Sequence, residues 1–222
     1  MNRHTLVLSV VGAAVAVFAL AGYVYKNQDA ARQAKTATEQ SDNLVRPHAP
    51  VIGPRNASVT IVEFFDPSCE ACRAFHPFVK KILADHPKDV RLVLRYAPFH
   101  EGSDEAVRIL EAARLQGKFE AVLEAMLAAQ PAWAVHGAPK LAIAWEAAGA
   151  AGLDLSRARQ DAARPEIDAV LMQDVQDLKA IKLNRTPTFF VNAKPLTDFG
   201  PEQLAALVKS EVEKVRARIA KD

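Results

Sequence analysis

The chain has 222 residues, 50% of them hydrophobic and 24% charged, a globular rather than a disordered composition. Its 28 basic and 26 acidic residues leave a formal net charge of +2 with no dense Lys/Arg run, so the charge pattern excludes an obvious nucleic-acid binder. Two cysteines, three positions apart, cannot staple a small secreted fold and read instead as a reactive pair or one local bond.

In chain order, the first feature is an almost purely apolar run from Leu6 to Tyr25, broken only by Ser9, Gly12 and Gly22. Its 20 residues match the length of a membrane-crossing helix, and Tyr23 and Tyr25 suit the headgroup level. The run continues past the possible cleavage site after Ala19-Leu20-Ala21, so it reads as an uncleaved anchor. A signal peptide with Arg3 as its n-region is the alternative. Either reading exports the rest of the chain across the cytoplasmic membrane. Residues 26–50, ending in Arg46-Pro47-His48-Ala49-Pro50, read as a tether, with the globular part beginning near Val51.

Ala57 to Phe65 is rich in β-branched and aromatic residues and reads as a buried strand, stopped by Asp66-Pro67-Ser68. After Cys69 a helical pattern begins, with Phe75, Phe78, Val79, Ile82 and Leu83 at three- and four-residue spacing. The order strand, turn, Cys-Glu-Ala-Cys, helix puts Cys69 at a helix N-terminus and Cys72 about one turn inside. Unpaired amides and the helix dipole there favour the thiolate, the species that attacks in disulfide exchange. A second cysteine in reach resolves the mixed disulfide.

Val90 to Tyr96 reads as a second strand. About 80 residues of helical patterning follow, with apolar faces at Ala106, Ile109, Leu110 and Ala113, then at Phe119, Val122, Leu123, Met126 and Leu127. Leu141 and Trp145 mark a third helix, and Pro165 opens a fourth through Ile167, Val170, Leu171 and Leu178. Trp133 and Trp145 read as packing residues, and His100 as a solvated loop histidine. Phe189 to Asn192 and Pro195 to Thr197 suggest a hairpin through Ala193-Lys194, and Pro201 opens a final helix.

The run Val62-Glu63-Phe64-Phe65-Asp66-Pro67-Ser68-Cys69-Glu70-Ala71-Cys72 resembles the active site of the thioredoxin superfamily, in its DsbA-like branch. Pro77, eight residues after Cys69, matches the proline of the active-site helix, and Arg185-Thr186-Pro187-Thr188-Phe189 resembles the segment carrying the cis-proline. The resemblance covers roughly residues 50 to 215 and implies an α/β thioredoxin fold with an all-helical insertion at about 101–182. It implies catalytic Cys69 and Cys72, a proton-relay role for Glu63, and contact of Thr186 and Pro187 with a bound substrate segment. Glu63 also reads as a salt-bridged strand residue. Glu70 and Ala71 depart from the familiar dipeptides: a carboxylate beside the nucleophile opposes thiolate formation and tunes the pair. Arg185 stands where the family often has glycine, and its charge would favour the thiolate if it pointed inward.

These features imply an exported thiol-disulfide oxidoreductase that needs no cofactor, read as a disulfide donor to exported cysteine-containing proteins. Its expected setting is the periplasmic side of the bacterial inner membrane, as a monomer held by residues 6–25 and served by a membrane redox partner. A dedicated reductase or isomerase is one alternative. A Cu(I)-binding chaperone is another, since Cys69, Cys72 and His76 offer ligands of the right softness. His76 directly precedes Pro77 and a fourth ligand is lacking, so no metal is assigned.

Overall fold

The computed structural model describes residues 43–220. The expected anchor at 6–25 and most of the expected tether lie outside them. No helix of the described residues is long and apolar enough to cross a membrane.

The two most buried strands are β2 (Val59–Phe65) and β3 (Val90–Tyr96), which pair in parallel from Val59 against Val90 to Phe65 against Tyr96. Parallel neighbours need a crossover, supplied by α1 (Glu70–Asp85). α1 buries Cys72, Phe75, Val79 and Ile82, a stripe at helical spacing. On the far side of β2 lies β4 (Thr188–Val191), antiparallel, followed by β5 (Lys194–Pro195). A short β1 (Val51–Ile52) pairs antiparallel with β3, giving the order β1-β3-β2-β4-β5. The final helix, Pro201–Ile219, starts at the expected proline and packs against α1, β2 and β4.

Between β3 and β4 stand five helices: α2 (Ser103–Leu115), α3 (Phe119–Trp133), α4 (Leu141–Ala150), α5 (Leu155–Ala162) and α6 (Pro165–Ala180). Four follow the apolar faces read from the sequence. The fifth, α5, does not, because it buries only Ala158, Asp161 and Ala162 and so shows no large apolar period. Its local start signal is Asp154, whose carboxylate accepts from the Arg157 amide at 3.1 Å. The hairpin turn is made by Asn192 and Ala193, both at positive φ (47° and 63°), rather than by Ala193-Lys194. The Asn192 side chain accepts from the Thr60 amide at 2.9 Å while its own amide donates to the Thr60 carbonyl, tying the turn to β2. The first long strand begins at Val59 rather than Ala57, and β4 and β5 each start one residue earlier than expected.

Strand alternation divides the sheet into two apolar layers. Ile61 and Phe65 of β2, with Leu92, Leu94 and Tyr96 of β3, join the large core shared with both cysteines, α1, the final helix and most of the insertion. Val62, Phe64 and Val93 face the other way, against Leu44, Ala49 and Leu178. The expectation of a free tether up to Pro50 is therefore corrected: its last residues are part of the fold. Leu44 is 2% exposed, and the segment is held by polar contacts that hydropathy does not reveal.

Those contacts centre on Arg95, which shares the second face of β3 with Val93 and is fully buried. Its guanidinium donates to Asp174 Oδ1 at 2.9 and 2.7 Å, to Asp177 Oδ2 at 2.6 Å, and to the carbonyls of Asn43 and Leu44 at 2.6 and 3.0 Å. Arg46 donates to both oxygens of Asp177, and His48 lies 2.7 Å from Asp174 Oδ1. Burial works against the Asp177 charge, but Arg46 and Arg95 hold its carboxyl below the usual range. Truncating one member of a buried pair strands the other charge, at a cost of about 3–5 kcal/mol. Arg95→Ala should lose about that much stability, read as a lower urea midpoint at unchanged slope.

Candidate active site

Pro67 cannot donate to the ladder, so β2 ends at Phe65 and the chain turns. Cys69 is the N-cap of α1, in extended conformation (φ −77°, ψ 121°), and its carbonyl accepts from the Arg73 amide at 3.1 Å. Cys69 is 6% exposed and Cys72 fully buried behind it. The sulfurs are not bonded to each other. The Cys69 thiol points to the Thr186 carbonyl at 3.4 Å, and the Thr186-Pro187 peptide is cis. The Asp66 amide donates to Cys72 Sγ at 3.5 Å. Cys69, Cys72, Thr186 and Pro187 are thus brought together, from positions more than a hundred residues apart.

The electrostatics separate the two sulfurs. A hydrogen bond from Cys72 stabilises the Cys69 thiolate most. Burial opposes it, and the Thr186 side chain and the amides of Cys72 and Ala71 add to it, so the Cys69 pKa falls to about 5. Burial, then the bond to Cys69, pushes the Cys72 thiol far above the ordinary range. Glu63 shares its strand face with Ile61 and Phe65, toward the cysteines, and is 2% exposed. Burial, with the neighbouring Cys69 charge, raises its carboxyl to about 8. No ion pair of Glu63 is found among the described residues. A carboxyl of that acidity can hold and release a proton at neutral pH.

Several residues that build the site were not singled out in the sequence. Asp66 is fully buried and accepts from the amides of Ser68 (2.9 Å), Phe99 (2.8 Å) and His100 (3.1 Å), from the Ser103 hydroxyl, and pairs with His100 Nδ1 at 2.6 Å. Gln130 of α3 donates to the carbonyls of Pro67 (2.7 Å) and Cys69 (3.1 Å) and accepts from Arg73 at 2.9 Å. Asp66 stood in the quoted motif as a strand-breaker; Gln130 and Ser103 carried no local signal. His100, expected to be solvated, is tied to Asp66 because the loop after β3 folds back over the end of β2.

Glu70 is exposed and pairs with His136 at 2.7 Å, and Ala71 is exposed, contributing its amide. Arg185 is exposed. His76 is taken up by Glu124, at 2.8 Å, on the α3 side of α1. Among the described residues no three His, Cys, Asp or Glu side chains are grouped to hold a metal ion. Trp133 and Trp145 pack in the insertion, donating to the Met126 carbonyl and to Glu105.

Two outcomes follow from these acidities. In the reduced protein, alkylation by iodoacetamide should label Cys69 alone, with a rate rising to a plateau around a midpoint near pH 5. For Glu63, the folded state keeps a proton that the unfolded state loses at about 4.5. Its contribution to stability is therefore full below about 4.5 and is lost as pH rises through about 8. Glu63→Gln should remove that decline from urea unfolding of the oxidised protein, where burial still raises the carboxyl without the Cys69 charge, so the decline there ends at a lower pH.

A family model described as thioredoxin matches residues 45–210. Among solved structures, a thioredoxin-like oxidoreductase from Silicibacter pomeroyi is 34% identical, covering 79% of this chain and 97% of its own, with a TM-score of 0.66. Bacillus subtilis BdbD (22% identity, 75% and 94% coverage, TM-score 0.66) and Wolbachia pipientis alpha-DsbA1 (16%, 81% and 98%, 0.70) share the fold. The Na(+)/H(+) antiporter NhaA 3 of Salinispora tropica is 32% identical over 205 residues, 85% of this chain. That match spans 29% of the antiporter, so the chain covers under a third of the curated relatives it matches.

Proposed function

This chain belongs to the thioredoxin family, and from that premise we propose that it is an exported, DsbA-like thiol-disulfide oxidoreductase that donates the Cys69–Cys72 disulfide to protein thiols. The observation that carries the reading is the split between the two sulfurs: Cys69 at the N-terminus of α1 with a pKa near 5, and the more deeply buried Cys72 held as a thiol. A stabilised thiolate favours the reduced form of the pair, and a pair whose reduced form is favoured gives its disulfide away.

In that direction a substrate thiolate attacks Cys69 Sγ, the Cys69–Cys72 bond breaks, and Cys72 leaves with the electron pair and takes up a proton. Glu63, protonated near neutrality, is the nearby proton source. A second substrate thiolate then attacks the substrate sulfur of the mixed disulfide and Cys69 leaves as the thiolate. Two substrate thiols have become a disulfide, the Cys69–Cys72 pair holds the two electrons, and one net proton passes to solvent once Glu63 is reprotonated. Thr186 and Pro187, beside Cys69, are placed to meet the substrate backbone. A membrane protein that removes the electrons, tethering through residues 6–25 on the periplasmic side of the inner membrane, and a monomeric state complete the proposal.

The test is the reduction potential of the full-length chain, equilibrated against glutathione. A disulfide donor should fall at about −120 to −180 mV. A value near about −270 mV would overturn donation in favour of reduction. Cys72→Ser should accumulate a mixed disulfide through Cys69 with a reduced substrate protein presented with oxidant, and Cys69→Ser should not.

A further inference from the structure

The Cys-Glu-Ala-Cys loop holds a carboxylate and no cation. A negative charge at Glu70 works against the Cys69 thiolate one residue away. The fold brings two histidines to this point from outside the loop. His136, in the turn between α3 and α4, sets its Nε2 2.7 Å from Glu70 Oε1. His100, beyond β3, is anchored through Nδ1 on buried Asp66. It stands edge-on to His136, with ring centroids 5.8 Å apart and planes at 82°. Both rings and Ser68 line a cleft of about 60 Å³ against the turn that carries Cys69.

We propose that His136, backed by His100, is a positioning residue that neutralises Glu70 and so sets the acidity of Cys69 and the redox poise of the pair. This rests on the thiol-disulfide reading and deepens it: the partner for Glu70 that the dipeptide lacks is lent by the helical insertion. The other titratable and charged groups facing the two rings are Asp66 from the end of β2, Cys69 at the start of α1 and Glu101 from the loop after β3. Three features support the assignment. The hydrogen bond from His136, then the backbone amide of Glu70 itself and the charges of His136 and His100, hold the Glu70 carboxyl below its usual range. Burial disfavours a charge on His100, yet Asp66, Cys69 and Glu70 together raise its pKa above the ordinary histidine value. The insertion is fixed to the same turn by Gln130, so the His136 loop is carried on a helix that already grips Pro67 and Cys69.

The pair is exposed, with side chains 69% and 56% accessible, so its leverage is that of a surface charge rather than a buried one. The experiment compares wild type, His136→Ala, Glu70→Gln and the double variant in the full chain. Two readouts are taken: the Cys69 thiolate titration, followed by ultraviolet absorbance of the reduced protein, and the exchange equilibrium with glutathione.

His136→Ala should raise the Cys69 midpoint and shift the equilibrium toward the protein disulfide by about threefold, the scale of an exposed ion pair. Glu70→Gln should move both the other way. In the Glu70→Gln background the His136→Ala shift should largely vanish, and His136→Lys should hold the wild-type values. An equal shift in both backgrounds, or no shift in either, overturns the proposal. The titration needs only reduced protein, so it decides the matter even if wild type exchanges no disulfide, a result that would sink the functional reading instead.

Discussion

A fully buried carboxylate has to find donors, and Asp66 finds them in three stretches of chain: the turn it opens, the loop after β3 and the start of α2. The rest of the site depends on this arrangement. With Asp66 satisfied, its own amide is directed at Cys72 Sγ, and Ser68 is drawn in by donating its hydroxyl to Ser103 Oγ, 2.8 Å away. Cys69 is left at the N-cap with its sulfur toward Thr186. Leaving such a group unpaired costs several kcal/mol, so the turn, the loop and the insertion are fixed together or not at all.

The helical insertion is consequently more than a cover over the thioredoxin framework. One part of it faces the two cysteines: Gln130 clamps the carbonyls of Pro67 and Cys69, and the following turn carries His136 to Glu70. Another part, α6, crosses to the opposite face of the sheet, where Asp174 and Asp177 meet Arg95 and Arg46. Asp174 also accepts from the Tyr96 amide, at the end of β3 next to the loop that returns to Asp66. The two polar clusters thus lie at the same end of the two central strands, one on each side of the sheet.

Acidity follows the same geometry. Cys69 and Cys72 are chemically identical and three residues apart, yet one is pulled down to about 5 and the other pushed far up. The difference comes from depth and from which sulfur accepts the hydrogen bonds. Glu63, one strand beneath, is raised to about 8 by the same burial that keeps Cys72 protonated. The acidities of Cys69, Cys72 and Glu63 are sorted by distance from water more than by residue type.

Much of this was legible in the sequence because it is local. The β-branched run before Asp66-Pro67, the Cys-Glu-Ala-Cys segment opening a helix, Pro201 at a helix start and the apolar stripes of four insertion helices all rest on neighbours within a few residues. Even the approach of Thr186-Pro187 to the cysteines followed from a recognisable motif. The packing of Asn43 to Pro50, the clamp of Gln130 and the pairing of His100 with Asp66 and of His136 with Glu70 did not. Each joins polar groups from distant segments, and a polar residue's partner leaves no period in the chain. Hydrophobic burial is repetitive and can be read along one strand or helix. The hydrogen bonds and ion pairs that aim the site exist only once tertiary folding has brought donor and acceptor together.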